Sequence, residues 1–187
     1  MLVGGINGSP NSMGNTGALI ARVLEGARSV GAETVTFNLG EMEVKGCRAC
    51  LACKDDKPCV IDDDMQRFYE QAEAIGAVVL GSPIYFDHIT AQIKAFLDRL
   101  FPYRTSDGRN LYPKGVRAVV AITYEAAGPE AYDAVLDWME KRLRGYFEME
   151  VVGHLKKSGC PIDGTVSPDE HLTARAFDLG RRLVTQT

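Results

Sequence analysis

The sequence has no apolar run approaching the roughly 20 residues that cross a bilayer as a helix, so no membrane-spanning helix is expected. Its start, Met1-Leu-Val-Gly-Gly-Ile-Asn7, carries no basic residue and too short an apolar stretch for a secretory leader, and a cytoplasmic protein is expected. Positive charge is not in excess: the formal net charge is −4. That weighs against nucleic acid as a partner, which favours a basic face. Internal repeats and low-complexity segments are absent. No Gly-Lys-Ser/Thr occurs, which excludes a Walker A loop, and Gly4, Gly5, Gly8, Gly14 and Gly17 do not form G-x-G-x-x-G.

What is present suits one globular domain over residues 1–187, with 45% hydrophobic and 25% charged residues. Cysteine is distributed unevenly. Cys47, Cys50, Cys53 and Cys59 fall within thirteen residues as C-x2-C-x2-C-x5-C, and Cys160 stands apart. In a reducing compartment such a cluster reads as metal-binding or catalytic before it reads as disulfides. Five thiols also cannot all pair. Thiolate is the soft ligand that iron–sulfur clusters and zinc select. Lys45, Arg48, Lys54 and Lys57 surround the cluster, and positive charge favours thiolates. The ferredoxin run C-x2-C-x2-C-x3-C sends its last cysteine to a second cluster. Here the x5 arm is long enough to turn back, so four thiolates could face one metal site. Zinc, a redox-active thiol pair and a structural set of thiols remain open alternatives. Cys160, in Ser158-Gly-Cys-Pro161, is expected to be a packed free thiol.

Strand and helix patterns alternate along the chain. Strands are predicted over Leu2–Asn7, Thr34–Leu39, Ala77–Gly81, Val116–Thr123 and Glu148–Gly153. Helices are predicted over Thr16–Val30, Met65–Ala74, Thr90–Leu100, Pro129–Tyr146 and Pro168–Val184. Asp62–Asp64 would cap the second helix, and Pro129 suits a first helical turn. Alternation of this kind implies an α/β fold: a doubly wound, five-stranded parallel sheet of order 2-1-3-4-5 with helices on both faces. Ligands of such sheets bind beyond the carboxyl ends of strands 1 and 3. Two loops are thereby placed in the site, Gly8–Thr16 and Ser82–His88, and a cysteine-rich loop at 45–61 lies between them.

The first loop, Gly8-Ser-Pro-Asn-Ser-Met-Gly-Asn-Thr16, offers Ser9, Ser12, Asn15 and Thr16 as donors next to a helix start, where free N–H groups and the dipole favour an anion. Hydroxyls and amides without a lysine suit a single phosphate, as on flavin mononucleotide (FMN). The second, Gly81-Ser-Pro-Ile-Tyr-Phe-Asp-His88, offers Pro83, Ile84, Tyr85 and Phe86 to a flat aromatic ring. The stretch Thr123-Tyr124-Glu125 beyond strand 4 is a third candidate, with Thr123 and Tyr124 as contacts. His88 is a proton-donor candidate, or else a cap or surface residue. Residues 104–115 form a polar, glycine-containing loop, read as either a cover for the site or a subunit contact.

With Gly8-Ser-Pro…Gly14-Asn-Thr16 and Gly81-Ser-Pro-Ile-Tyr-Phe86 followed by Ala91-Gln-Ile-Lys-Ala-Phe-Leu-Asp-Arg99, the chain resembles the flavodoxin-like NAD(P)H-dependent FMN reductases. The four cysteines and Asp62-Asp-Asp-Met65 between those loops make it similar to their iron–sulfur flavoproteins. The resemblance implies FMN held by Ser9, Asn11, Ser12, Asn15 and Thr16 at its phosphate, with a [4Fe–4S] cluster on Cys47, Cys50, Cys53 and Cys59. It implies a homodimer or homotetramer, and electrons passing from a ferredoxin-like donor to an acceptor, with dioxygen or peroxide among the acceptors. Many relatives carry arginine where this chain has Asn11, so here the phosphate charge falls to the helix dipole and hydroxyls. Two other readings fit the residues: an NAD(P)H-dependent flavin or quinone reductase without a cluster, and a non-catalytic flavin sensor or zinc-stabilised module.

Overall fold

A computed structural model describes residues 1–54, 57–125, 128–161, 163–167 and 169–185. Strand β1 (Leu2–Asn7) leads into helix α1 (Asn15–Arg28), then β2 (Glu33–Asn38) and the cysteine segment. Helix α2 (Met65–Ala72), β3 (Ile75–Tyr85), the short β4 (His88–Ile89) and α3 (Ala91–Asp98) follow. The chain ends with β5 (Arg117–Thr123), α4 (Asp133–Phe147), β6 (Glu150–Lys157) and α5 (Glu170–Val184).

Five strands pair in parallel in the order β2-β1-β3-β5-β6, the expected doubly wound order once β4 is set aside, which pairs antiparallel with β3. The central strands read as near-continuous apolar runs because both of their faces are covered. Alternate residues of β3 feed two cores. Ala77 and Val79 meet Leu19, Ile20 and Val23 of α1 and Leu172, Leu179 and Leu183 of α5. Val78 and Leu80 meet Phe68 of α2, Ile93 and Phe96 of α3, and Met139 and Leu143 of α4. Register aligns the carboxyl ends of the strands: Asn7 pairs with Asn38 and Gly81, Pro83 with Thr123, and Thr123 with Lys157. The two expected site loops therefore leave the sheet side by side. Among the described residues no helix is long and apolar enough to cross a membrane.

Several boundaries differ from expectation. Strand β3 runs through Ser82–Tyr85, and the expected Ser82–His88 loop is a hairpin whose turn is Phe86–Asp87. Pro83 lies beyond the last β1 pair, where its missing N–H breaks no bond to that strand. Helix α4 starts at Asp133, not Pro129. The carbonyl of Pro129 instead accepts the Tyr124 hydroxyl at 2.9 Å, and turns occupy the residues up to Tyr132. Strand β6 runs to Lys157 rather than Gly153, while Glu148 ends α4 in a left-handed conformation (φ 55°). Polar His154 and Lys156 meet Glu140 and Asp133 of α4, which is why the apolar pattern of this edge strand fades. The expected start of the last helix at Pro168 lies outside the described residues. The helix observed begins at Glu170, capped by Asp169, whose Oδ1 accepts the Leu172 N–H at 2.9 Å.

Candidate functional site

A cavity of about 500 Å³ opens at the carboxyl edge of the sheet, between the ends of β1, β3, β5 and β6, within the roughly 300–1,000 Å³ usual for cofactor pockets. Ten of the eleven expected contacts line it: Ser9, Asn11, Asn15, Thr16, Pro83, Ile84, Tyr85, Phe86, Thr123 and Tyr124.

The loop after β1 is wired to its neighbours by buried bonds. The Gly8 N–H donates to the Gly81 carbonyl at 2.8 Å. Thr90, the N-cap of α3, donates its hydroxyl to the Gly8 carbonyl at 2.7 Å and accepts the Ile93 N–H. Gly8 is needed here because a Cβ would lie 2.0 Å from Ile93 Cγ1, and at Gly17 one would lie 1.9 Å from the Ser12 carbonyl oxygen. The Thr16 and Thr123 hydroxyls bond at 2.7 Å across the sheet. Helix α1 begins at Gly14 without a side-chain cap. The Gly14 and Ala18 N–H groups bond to Asn11 and Gly14 carbonyls, and the amides of Asn15, Thr16 and Gly17 between them donate to no described residue. Uncapped first-turn amides and the dipole's positive end suit a phosphate, and the cavity beside them suits a ring system. The residues therefore fit FMN.

Ser12 is placed elsewhere. Its hydroxyl donates to Glu41, which also accepts from Asn38. The Asn15 side chain donates to the Thr165 carbonyl at 3.0 Å and accepts the Ser167 N–H at 3.2 Å, so it joins the 163–167 loop to the helix start. At the opposite wall, Phe86 and Asp87 both have positive φ (47° and 61°), the mirror-image turn that closes a two-residue hairpin. A phenylalanine there is strained, and its ring is fully exposed. Asp87 accepts the Tyr132 hydroxyl at 3.0 Å, and His88 packs edge-on against Trp138. His88 does not line the cavity. Residues 104–115 lie off the cavity too, with Arg104 bonded to the Tyr146 carbonyl and bridged to Asn110.

Gly14 and Glu125 of the expected stretches line the cavity too, while sequence reasoning missed Cys160, Pro161 and Gly164. The placement of Cys160 was legible in principle, because any loop that leaves a strand at this edge faces the crevice. It is a buried free thiol, as expected, and its Sγ donates to the Lys157 carbonyl. Burial pushes the thiol up, while the Tyr124 peptide bond and Lys157 pull it down.

The cysteine segment, from Glu43 to Asp62, contains no helix or strand among its described residues, and Asp55 and Asp56 lie outside them. Cys47 and Cys50 are exposed, Cys59 is half-buried and Cys53 is buried. Burial raises the Cys53 thiol; Lys54 opposes that, and Cys59 and Cys47 are near enough to add to it. All five cysteines are free thiols. Among the described residues, no three His, Cys, Asp or Glu side chains are gathered closely enough to hold an ion. The donor set nevertheless fits a soft metal centre: four thiols in C-x2-C-x2-C-x5-C. The backbone shows a corresponding feature. Ala49 and Leu51 both take positive φ (51° and 59°), and the Ala49 N–H points at Cys47 Sγ at 3.5 Å. Left-handed residues are one element of the N–H concavities that hold anions and iron–sulfur groups.

The segment is fastened at its middle and at its ends. Lys54 is buried and donates to the Phe101 carbonyl at 3.0 Å and to that of Arg104, with its ammonium 3.1 Å from the centre of the Phe101 ring. Gln66 donates to the Cys59 and Ile61 carbonyls at 3.1 and 2.7 Å. Of the acidic run, Asp64 accepts the Glu43 N–H at 2.7 Å, while Asp63 forms a buried ion pair with Arg99. The sequence expectation, a helix cap only, missed this pair.

A doubly wound parallel sheet with an anion-ready helix start and a ring-sized crevice at its switch point defines the flavodoxin-like flavin proteins. Residues 1–144 match the family described as NADPH-dependent FMN reductase. An iron–sulfur flavoprotein of Methanosarcina thermophila is 34% identical over 139 residues, 74% of this chain and 73% of the relative. Another from Archaeoglobus fulgidus is 30% identical over 179 residues, 96% of this chain and 77% of the relative. The solved NAD(P)H:quinone oxidoreductase from Methanothermobacter marburgensis shares the fold, with a TM-score of 0.76 at 17% identity over 100% of this chain and 98% of that one. The chain belongs to the NADPH-dependent FMN reductase family, together with the iron–sulfur flavoproteins, and is an FMN-dependent oxidoreductase.

Proposed function

We propose that this oxidoreductase transfers electrons through FMN and a [4Fe–4S] cluster held by Cys47, Cys50, Cys53 and Cys59. The donor is ferredoxin-like and the acceptor a small oxidant such as dioxygen or peroxide. The observation that carries the reading is a four-thiol segment, fastened at both ends, in a chain that also builds an FMN-ready crevice. When bound, the cluster supplies one-electron steps, and FMN exchanges one or two electrons.

The chain's own residues supply position and charge. The α1 amides and the Ser9 and Thr16 hydroxyls receive the phosphate. Asn11 adds an amide in place of a cation. Pro83, Ile84, Tyr85 and Phe86 flank the ring on one side, and Thr123 and Tyr124 approach from β5. The lysines and arginine around the cysteines offset the negative charge of thiolate ligands. The fully exposed Phe86 and half-exposed Tyr85 on the hairpin favour a homodimer or homotetramer in which a second subunit covers them.

A second reading has an observation of its own. The thiols are not gathered among the described residues, and the family description names NADPH. In that reading NAD(P)H reduces FMN directly, and the acceptor is a flavin or a quinone. Anaerobic stopped-flow reduction separates the two. The first predicts that a reduced ferredoxin-type protein bleaches the flavin rapidly, and that simultaneous Cys50→Ala and Cys59→Ala substitution abolishes this. Equal rates in the wild type and that variant, with fast bleaching by NADPH alone, contradict the first reading and establish the second.

A further inference from the structure

Arg99, the C-cap of α3, is the largest fully buried side chain among the described residues, 1% exposed. A buried guanidinium persists only where its charge and its donors are met. Its Nη1 donates to Asp63 Oδ2 at 2.5 Å and to the Lys45 carbonyl at 2.9 Å; its Nη2 donates to Asp63 Oδ1 at 3.0 Å. Asp63 is saturated, because it also accepts the Lys45 N–H at 2.9 Å and the Met65 N–H at 3.1 Å. Lys45 and Asp63 bracket the cysteine segment, so one guanidinium closes it from both ends. One nitrogen is left over: Arg99 Nε is buried without a hydrogen-bond partner. Buried donors are nearly always used, and an orphan asks for a reason.

The loop that carries Cys59 offers one. Tyr69 of α2 donates its hydroxyl to the Arg99 carbonyl at 2.5 Å. Gln66 fixes the Cys59 backbone on that side. Neither the family assignment nor the cysteine spacing assigns Arg99 a role.

We propose that Arg99 is a positioning residue for the metal site: it closes the cysteine segment through Asp63 and Lys45 and holds its spare N–H for the Cys59 thiolate. The inference rests on reading the four cysteines as metal ligands. Hydrogen bonds to ligating sulfurs and nearby charge set the reduction potential of such centres. The guanidinium favours the more negative, reduced form, and Asp63 partly offsets it.

The test compares wild type, Arg99→Lys, Arg99→Gln and Asp63→Asn, purified anaerobically. The readouts are iron per chain, midpoint potential by EPR-monitored titration and, on the apoprotein, affinity for Co²⁺ followed by its thiolate charge-transfer band. Arg99→Gln should shift the cluster's reduction equilibrium about tenfold toward the oxidised form, a fall of about 59 mV for a one-electron couple. Asp63→Asn should shift it the other way, and Arg99→Lys should stay within threefold of wild type. Co²⁺ should bind the apoprotein in the order Asp63→Asn, wild type and Arg99→Lys, then about tenfold more weakly to Arg99→Gln. Shifts of one sign in all three variants, or an unchanged Arg99→Gln, overturn the proposal. Should a variant lose iron, the Co²⁺ order decides in its place. Wild type without iron that keeps the Co²⁺ order refutes the cluster reading and leaves the role of Arg99 standing.

Discussion

The flavin crevice and the cysteine segment both lie between secondary-structure elements, yet the chain orders them differently. Most walls of the crevice continue a strand or open a helix. Its loops are stitched by buried bonds that span the sequence, such as Thr90 to Gly8 and Thr16 to Thr123. Among its described residues the cysteine segment contains no helix or strand and is tied at its ends by Arg99 and Gln66 and at its middle by Lys54, and two of its four thiols face solvent. The difference follows from the ligands. An organic cofactor is received by neutral hydroxyls and amides, which can be buried and bonded to one another before it arrives. Four thiolates repel one another; on the proposed reading a metal would gather them, and metal binding and ordering would be one event.

The largest expected effect breaks the comparison from the cysteine side. Cys59→Ala should abolish iron binding and leave FMN affinity within twofold, measured by metal analysis and fluorescence titration; retained iron would remove Cys59 from the ligand set. Gly8→Ala is the reciprocal break. Its Cβ would meet Ile93, and overpacking of this kind costs about 1–3 kcal/mol. FMN affinity should fall about tenfold or more, with iron content intact. If iron falls in step, the two sites are not independent.

Smaller changes sharpen the same contrast. Thr90→Val removes a helix cap and the bond to Gly8, and should cost about 1 kcal/mol of unfolding free energy. Phe86→Asn should relieve left-handed strain worth about 1 kcal/mol while weakening FMN binding, so stability and affinity move in opposite directions. A parallel loss of both would show that the Phe86 ring packs for stability alone.

The least effect comes from Asp63. Burial raises its carboxyl, but the Arg99 hydrogen bonds and the Lys45 and Met65 peptide N–H groups outweigh burial, and the net shift is downward from 3.8. A depressed folded-state value means that the carboxylate stabilises the protein above the unfolded value. That contribution is lost as pH falls from about 4 through the folded value. Thermal unfolding of wild type should therefore lose stability below pH 4 more steeply than Asp63→Asn does. Parallel acid profiles would remove Asp63 from the acid response.

Most of the crevice was legible in the sequence because apolar runs, glycines and hydroxyls mark strand ends and a helix start locally. The end of β3 was not, since Pro83 reads as a breaker until its place beyond β1 is known. Nor was the Asp63–Arg99 pair, whose partners lie 36 residues apart with no periodic link. Cys160 and Gly164 reach the crevice only because β6 lies beside β5, a consequence of strand order rather than of any motif.

Iron, acid-labile sulfide and FMN per chain, measured together after anaerobic purification, test the account most directly. The account predicts about four iron and four sulfide with one FMN. A full complement of FMN with negligible iron in protein never exposed to air would contradict it.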